Sequence, residues 1–157
     1  MKDITLVDLD NTYFIDSKPR LDVLKTRIHK IKSSLKDPTF FGNTWTENFM
    51  KEHEIDLKSS FKSSKIGKDT ADHDLIHFIA KLPKKTKIAI VTNDKTLQRF
   101  IYFKFSDKYD LTFYHFSPDD NADGKLKKNK SVGLSFDSPR DLKKFLDSYI
   151  LYQKRFS

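Results

Sequence analysis

Apolar and polar positions fall along this chain in blocks of two kinds, short apolar runs that stop at polar clusters and longer stretches with helical spacing. Ile4 to Val7 is an apolar run that ends at Asp8 and is followed by the polar turn Asp10-Asn11-Thr12. That is the pattern of a buried strand with carboxylates at its carboxyl end. From Leu21 onward, Leu21, Leu24, Ile28, Ile31 and Leu35 recur every three or four residues and predict a helix with one apolar stripe. Pro38 opens the next element. Thr39 to Phe41, closed by Gly42-Asn43, reads as a second strand, and Glu47 to His53 as a short helix.

Ser60 to Ile66 predicts a third strand. After the punctuation Gly67-Lys68-Asp69, with Asp69 as cap, a helix is expected from Thr70 to about Leu82, burying Ala71, Leu75, Phe78, Ile79 and Leu82. Lys87 to Val91 is a fourth apolar strand, ending in Thr92-Asn93-Asp94. Leu97 to Phe105 continues as a helix and Leu111 to Phe116 as a fifth strand. Ser138-Pro139-Arg140-Asp141 starts a last helix that runs to about Tyr152. The segment from Asp119 to Lys130, rich in lysine and without periodicity, is expected to be a mobile surface loop.

Strands alternating with helices imply right-handed crossovers and a mainly parallel sheet of about five strands, covered by helices on both faces. A chain of 157 residues supplies one such domain. Ligands of these sheets sit beyond the carboxyl ends of the strands. Asp8 and Asp94 are both expected at that edge, and this joins two local patterns into one site.

Composition narrows the chemistry. There is no cysteine, which excludes disulfide staples, thiolate metal sites and cysteine nucleophiles. No apolar run approaches the roughly 20 residues of a membrane span, and the start of the chain lacks the pattern of an export signal, so a cytoplasmic protein without a membrane partner is expected. The formal net charge of +8 favours phosphate backbones as partners, while lysine-rich solvated faces explain it equally well.

Carboxylates converging at a sheet edge repel one another and are kept together by a compensating cation, for which Mg²⁺ or Mn²⁺ suits an all-oxygen set. Asp72, one turn into the helix before the Asp94 strand, is the third candidate. Each aspartate also has a plain structural reading: Asp72 as capping partner of Asp69, Asp8 and Asp94 as turn residues capping the next helix. Capping does not explain why two apolar strands both stop at aspartate.

The stretches Leu6 to Thr12, Gly67 to Leu75 and Ile90 to Lys95 resemble, in order and spacing, three signatures of PIN-like/NYN nucleases. These are an Asp ending the first strand with an acid two residues on, a Gly/Lys-rich approach to a helix beginning at Ala-Asp, and a Ser/Thr-x-Asp motif after the fourth strand. The resemblance spans roughly Ile4 to Phe116. It implies divalent-metal-dependent phosphodiester hydrolysis, most often of RNA rather than DNA, with Asp8, Asp72 and Asp94, joined by Asp10, as the catalytic and metal-holding carboxylates. Thr92 and Asn11 would orient them, and Asp74 is a possible extra ligand. The chain departs from the family where many relatives place a further acid, having Lys95, Thr96, Leu97 and Gln98 instead. That departure leaves a catalytically weak nucleic-acid-binding module as an alternative.

Asp8-Leu9-Asp10-Asn11-Thr12 also resembles the first motif of HAD-superfamily phosphatases, and Ile90 to Asn93 their second. That resemblance implies Asp8 as nucleophile, Asp10 as general acid/base and Thr92 as phosphate ligand, with Lys128 or Lys130 together with Asp137 and Asp141 nominated for the remaining motifs. It leaves Gly67 to Leu75 unused.

His73 and His77 lack the glutamate of a zinc-protease helix, and surface or supporting roles are expected for the histidines. Lys65, Lys68, Lys95 and Arg99 flank the acidic motifs and are candidates for holding a strand by its phosphates. Among Tyr13, Phe14, Phe41 and Trp45, core packing is the default for the phenylalanines, and Trp45, in a polar segment, is the candidate for stacking on a base.

Overall fold

The computed structural model describes residues 3–64, 70–117, 124–132 and 139–155. The expected alternation is present. Strand β1 (Asp3–Asp8) is followed by a 3₁₀ turn at Leu9–Asn11 and a small hairpin of β2 (Phe14–Ile15) and β3 (Lys18–Pro19). Then come α1 (Leu21–Ser34), β4 (Pro38–Asn43), α2 (Thr44–Glu52), β5 (Phe61–Ser64), α3 (Thr70–Ala80), β6 (Lys87–Val91), α4 (Lys95–Phe105), β7 (Asp110–Phe116), β8 (Leu126–Lys128) and α5 (Pro139–Arg155).

The main sheet has six strands in the order β5-β4-β1-β6-β7-β8, parallel throughout except for β8, which runs antiparallel to β7. Strand β1 is therefore central, and the ends of β4 and β6 lie on either side of its own carboxyl end. Side chains alternate across the pleat and build two cores. Leu6, Phe41 and Ile90 pack with α3, α4 and α5 through Leu75, Ile76, Ile79, Leu97, Ile101 and Tyr149. Val7, Phe40 and Val91 face the other way, onto α1 and α2 through Leu24, Ile28, Ile31 and Met50. Both faces are covered, as a parallel sheet requires.

The structure adds to the expected elements at three points. The sheet has a sixth strand, because Leu126–Lys128 pairs with β7 and is not loop; of the expected loop, 119–123 lies outside the described residues. The turn after Asp8 carries the β2/β3 hairpin, whose tip residues Asp16 and Ser17 have φ of 51° and 64°. Two successive left-handed residues are the backbone of a type I′ turn, which matches the twist of a two-residue hairpin. Helix α3 buries Asp72, His73 and Ile76 besides the expected Ala71, Leu75 and Ile79, while Phe78 and Leu82 are only partly covered. The expected Asp69 cap lies outside the described residues, as do residues 65 and 66 of the expected third strand.

Candidate functional site

Asp8 is the last residue of the central strand and is 1% exposed. Its Oδ2 accepts hydrogen bonds from Asn11 Nδ2 at 2.6 Å and from Thr92 Oγ1 at 2.7 Å. Its Oδ1 is buried and takes no hydrogen bond. Burial, the largest effect, pushes the Asp8 carboxyl up to about 7 from its ordinary 3.8; the two hydrogen bonds oppose this, and the negative charges of Asp10 and Asp94 reinforce it. Asp8 is a carboxylate in a setting short of positive charge.

Asp94 follows β6 and caps α4, its Oδ1 accepting the Leu97 amide at 3.1 Å. The Asp94 amide donates to Thr92 Oγ1 at 3.0 Å. The single Thr92 hydroxyl thus spans the two strand ends, donating to Asp8 and accepting from Asp94. Gln98 Nε2 holds the Thr92 carbonyl at 2.8 Å from one turn into α4, which fixes the residue on its other side.

Asp10 sits on the 3₁₀ turn and reaches across to the start of α2. Both of its oxygens lie 3.1 Å from the Asn43 amide, and its Oδ1 accepts from Thr46 Oγ1 at 2.6 Å. Since the Thr46 hydroxyl gives its proton to Asp10, Tyr13, 2.7 Å away, must donate to Thr46. Burial, with the charge of Asp10 adding to it, pushes the Tyr13 phenol up to about 12, so the donor stays protonated. Gly42 makes room for this arrangement: a Cβ there would lie 3.2 Å from Asp10 Oδ1 and 2.9 Å from the Phe61 ring. From beneath, the buried Arg27 of α1 donates to the Thr12 carbonyl at 2.6 Å, and its guanidinium lies 4.8 Å from the centre of the Phe116 ring.

Asp72 lies in the first turn of α3, buried, and α3 packs on β4 and β1. Because α3 crosses from parallel β5 to parallel β6, its amino end is at the carboxyl edge of the sheet, the edge that carries Asp8 and Asp94. Asp74 is on the same turn and partly buried. Among the described residues, no three carboxylate or imidazole side chains converge closely enough to hold one ion between them. The carboxylates that act on Asp8 are those of Asp10 and Asp94. Lys65 and Lys68 lie outside the described residues; Lys95 is exposed and Arg99 buried, one turn apart on α4.

Trp45 is half exposed at the start of α2 and stacks on Phe49, ring centres 5.4 Å apart and planes within 12°. Phe14, from the hairpin, is 43% exposed and 5.5 Å from Trp45. Tyr13, wholly buried, backs both rings, whereas Phe41 belongs to the core. Of the surface and supporting roles expected for the histidines, the surface one does not hold for His73, which is buried against α5, its Nε2 3.2 Å from Ser148 Oγ and its ring 5.9 Å from that of Tyr149. Two residues around the acidic edge escaped the sequence reading, Thr46, which joins Asp10 to Tyr13, and Gln98, which holds Thr92. Neither carries a local signal, since each acts only through a partner distant in the chain or through the backbone.

No helix among the described residues is long and apolar enough to cross a membrane. Comparison of the chain with models of protein families, with curated proteins and with solved structures finds no significant match in any of the three.

Proposed function

We propose that this chain is a divalent-metal-dependent nuclease of the PIN-like/NYN kind, hydrolysing phosphodiester bonds of single-stranded RNA in preference to DNA. The observation that carries this reading is Asp8: a buried carboxylate with one oxygen lacking any hydrogen bond, and with the charges of Asp10 and Asp94 acting on it. A folded chain tolerates such a group when a cation compensates it.

The residues present fit Mg²⁺ or Mn²⁺. These ions take oxygen ligands and are commonly held by one or two carboxylates, with water and substrate phosphate completing the shell. Asp8 and Asp94 would hold the ion; Asp72, at the amino end of α3, starts at the same edge but does not close with these two into a three-carboxylate set. Bound there, the metal would lower the pKa of an attacking water and offset charge building on the phosphate. Thr92 and Asn11 fix the rotamer of Asp8 through its Oδ2 and leave Oδ1 for the ion. Asp10 is better employed as an anchor, since its carboxylate is spent on Asn43 and Thr46 and holds the turn after β1 against α2. That employment also counts against the phosphatase alternative, which needs Asp10 free to pass a proton.

Support for nucleic acid as substrate comes from the +8 charge and from the exposed Trp45 and Phe14 rings on the β4 side of the acidic centre. The test is incubation with labelled single-stranded RNA in Mn²⁺ and then in EDTA, with p-nitrophenyl phosphate in parallel. Cleavage of RNA in Mn²⁺ alone supports the nuclease. Turnover of the small ester with RNA left intact supports the phosphatase, and RNA binding without either supports an inactive binding module.

A further inference from the structure

On the β7 side of the acidic centre lies a cavity of about 410 Å³, lined by Asn93, Lys95, Gln98, His115, Phe116, Asn129 and Ser131. This is within the range of small-ligand pockets. A recess of about 60 Å³ shares Lys95, Gln98 and Asn129 and adds Arg99. The amides that line the cavity are already tied to the fold. Gln98 donates to the Thr92 carbonyl and accepts from Asn129 Nδ2 at 2.8 Å, and Asn93 exchanges hydrogen bonds with the Phe116 amide and carbonyl. They make stiff walls, and through Gln98 and Thr92 those walls are continuous with the support of Asp8.

The groups left to meet a ligand are a lysine and an imidazole, with a second lysine next to them. His115 on β7 pairs directly with Lys127 on β8, so the two side chains stand on the same face of the sheet, and Lys95 enters from the first turn of α4. No aspartate or glutamate lines the cavity, and none of the ion pairs among the described residues uses Lys95 or Lys127. His115 Nδ1 is buried and takes no hydrogen bond. Burial, followed by the nearby charges of Lys127 and Lys95, holds the imidazole below its ordinary 6.5. Lys95 and His115 line the cavity with no acid beside them, Lys127 stands next to His115 across the strand pair, and a bound anion would offset the charge of the two lysines and favour the protonated imidazole.

We propose that this cavity is a phosphate-binding subsite, taking a backbone phosphate of a single nucleic-acid strand laid across the carboxyl edge of the sheet and holding it with Lys95 and His115, to which Lys127, the cross-strand neighbour of His115, adds its charge. The strand order places Trp45 and Phe14 on the β4 side, Asp8 and Asp94 at β1 and β6, and the cavity at β7, one track along a single edge. The nucleic-acid nature of the ligand rests on the nuclease reading; its negative charge rests on the cavity alone.

The test uses the full chain in EDTA, where cleavage plays no part. A short oligouridylate, and separately inorganic phosphate, is titrated while the His115 imidazole is followed by NMR. The oligouridylate is expected to shift the His115 signals and raise its pKa, whereas inorganic phosphate does so only at far higher concentration. Lys127→Gln is expected to weaken oligouridylate binding roughly tenfold and to lower the dependence of log affinity on log salt by about 1. Lys87→Gln, at the opposite edge of the sheet, removes the same charge and should leave binding unchanged. A His115 signal unmoved at saturating oligouridylate, or equal losses in the two lysine variants, overturns the subsite. The catalytic reading fails separately: a shifted His115 in a protein that cannot cleave RNA in Mn²⁺ keeps the subsite and removes the nuclease, and cleavage with an unmoved His115 does the reverse.

Discussion

Thr92 Oγ1 lies 2.7 Å from Asp8 Oδ2, joining residues 84 apart in the chain, and the same hydroxyl receives the Asp94 amide. One side chain therefore makes the ends of β1 and β6 a single unit. Thr92→Val keeps the shape and removes both hydrogen bonds. Loss of a buried hydrogen bond to an ionisable group costs about 1–3 kcal/mol, to be read from urea unfolding. Since the Thr92 bond lowers the Asp8 pKa, the variant should also titrate at higher pH than the native protein and bind Mn²⁺ more weakly.

Asp8 gives the metal-free protein a defined pH dependence. Its pKa is 3.8 in the unfolded chain and about 7 in the fold. Between these values the folded protein keeps a proton that the unfolded chain has released, so stability is greatest below the lower value and declines as pH rises through the upper one. Thermal unfolding in EDTA should show a falling midpoint from pH 5 to pH 8, and Mn²⁺ should restore most of the loss at pH 8. Asp8→Asn removes this titration and should be more stable than the native chain at pH 8 in EDTA. A native midpoint that does not fall over this interval would contradict the environment described for Asp8.

Gly42 is needed for space, not for backbone freedom. In Gly42→Ala the added methyl must displace the Phe61 ring or the Asp10 carboxylate. A small-to-large change in a packed site costs about 1–3 kcal/mol, and the displaced Asp10 should loosen its bonds to Asn43 and Thr46. Denaturant unfolding gives the stability change, and loss of amide protection at Asn43 would locate it.

Trp45 is the single tryptophan, which makes its fluorescence a specific reporter. Single-stranded RNA should quench it, while duplex RNA, whose bases are already stacked, should not. Trp45→Ala removes a half-exposed ring, so its effect on stability should be small, and RNA affinity should fall by about 1–3 kcal/mol. Unchanged affinity would show the ring to be a surface feature without a part in binding.

Much of the fold was legible because the strands that matter are apolar runs with polar ends. Lys87–Val91 coincides with its expected range, and β1, β4 and β7 lie within a residue or two of theirs. The central strand and its neighbour each stop at an aspartate or just before one, so Asp8 and Asp94 could be nominated without coordinates. What escaped depended on pairing, not on local pattern. The β2/β3 hairpin has two residues per strand and turns on Asp16-Ser17 where glycine or asparagine is the usual signal. Strand β8 is three residues long, two of them lysines, and is a strand only because β7 offers it an edge. The cavity at His115 was hidden with it, since Lys127 meets His115 only through that pairing. The role of Asp10 was obscured for the same reason: its ties to Asn43 and Thr46 join segments more than thirty residues apart.

Asp94→Asn is the most direct test of the claim that a divalent cation held at the Asp8 edge cleaves RNA. Asparagine caps helices as well as aspartate does, so the bond to the Leu97 amide and the fold should survive while the negative charge is lost. Rates of Mn²⁺-dependent cleavage of single-stranded RNA are compared for the native and Asp94→Asn proteins, with binding to the same RNA measured in EDTA. The account predicts cleavage by the native protein, no detectable cleavage by the variant, and equal RNA affinity for both. Undiminished cleavage by Asp94→Asn, or cleavage by the native protein that persists in EDTA, would contradict it.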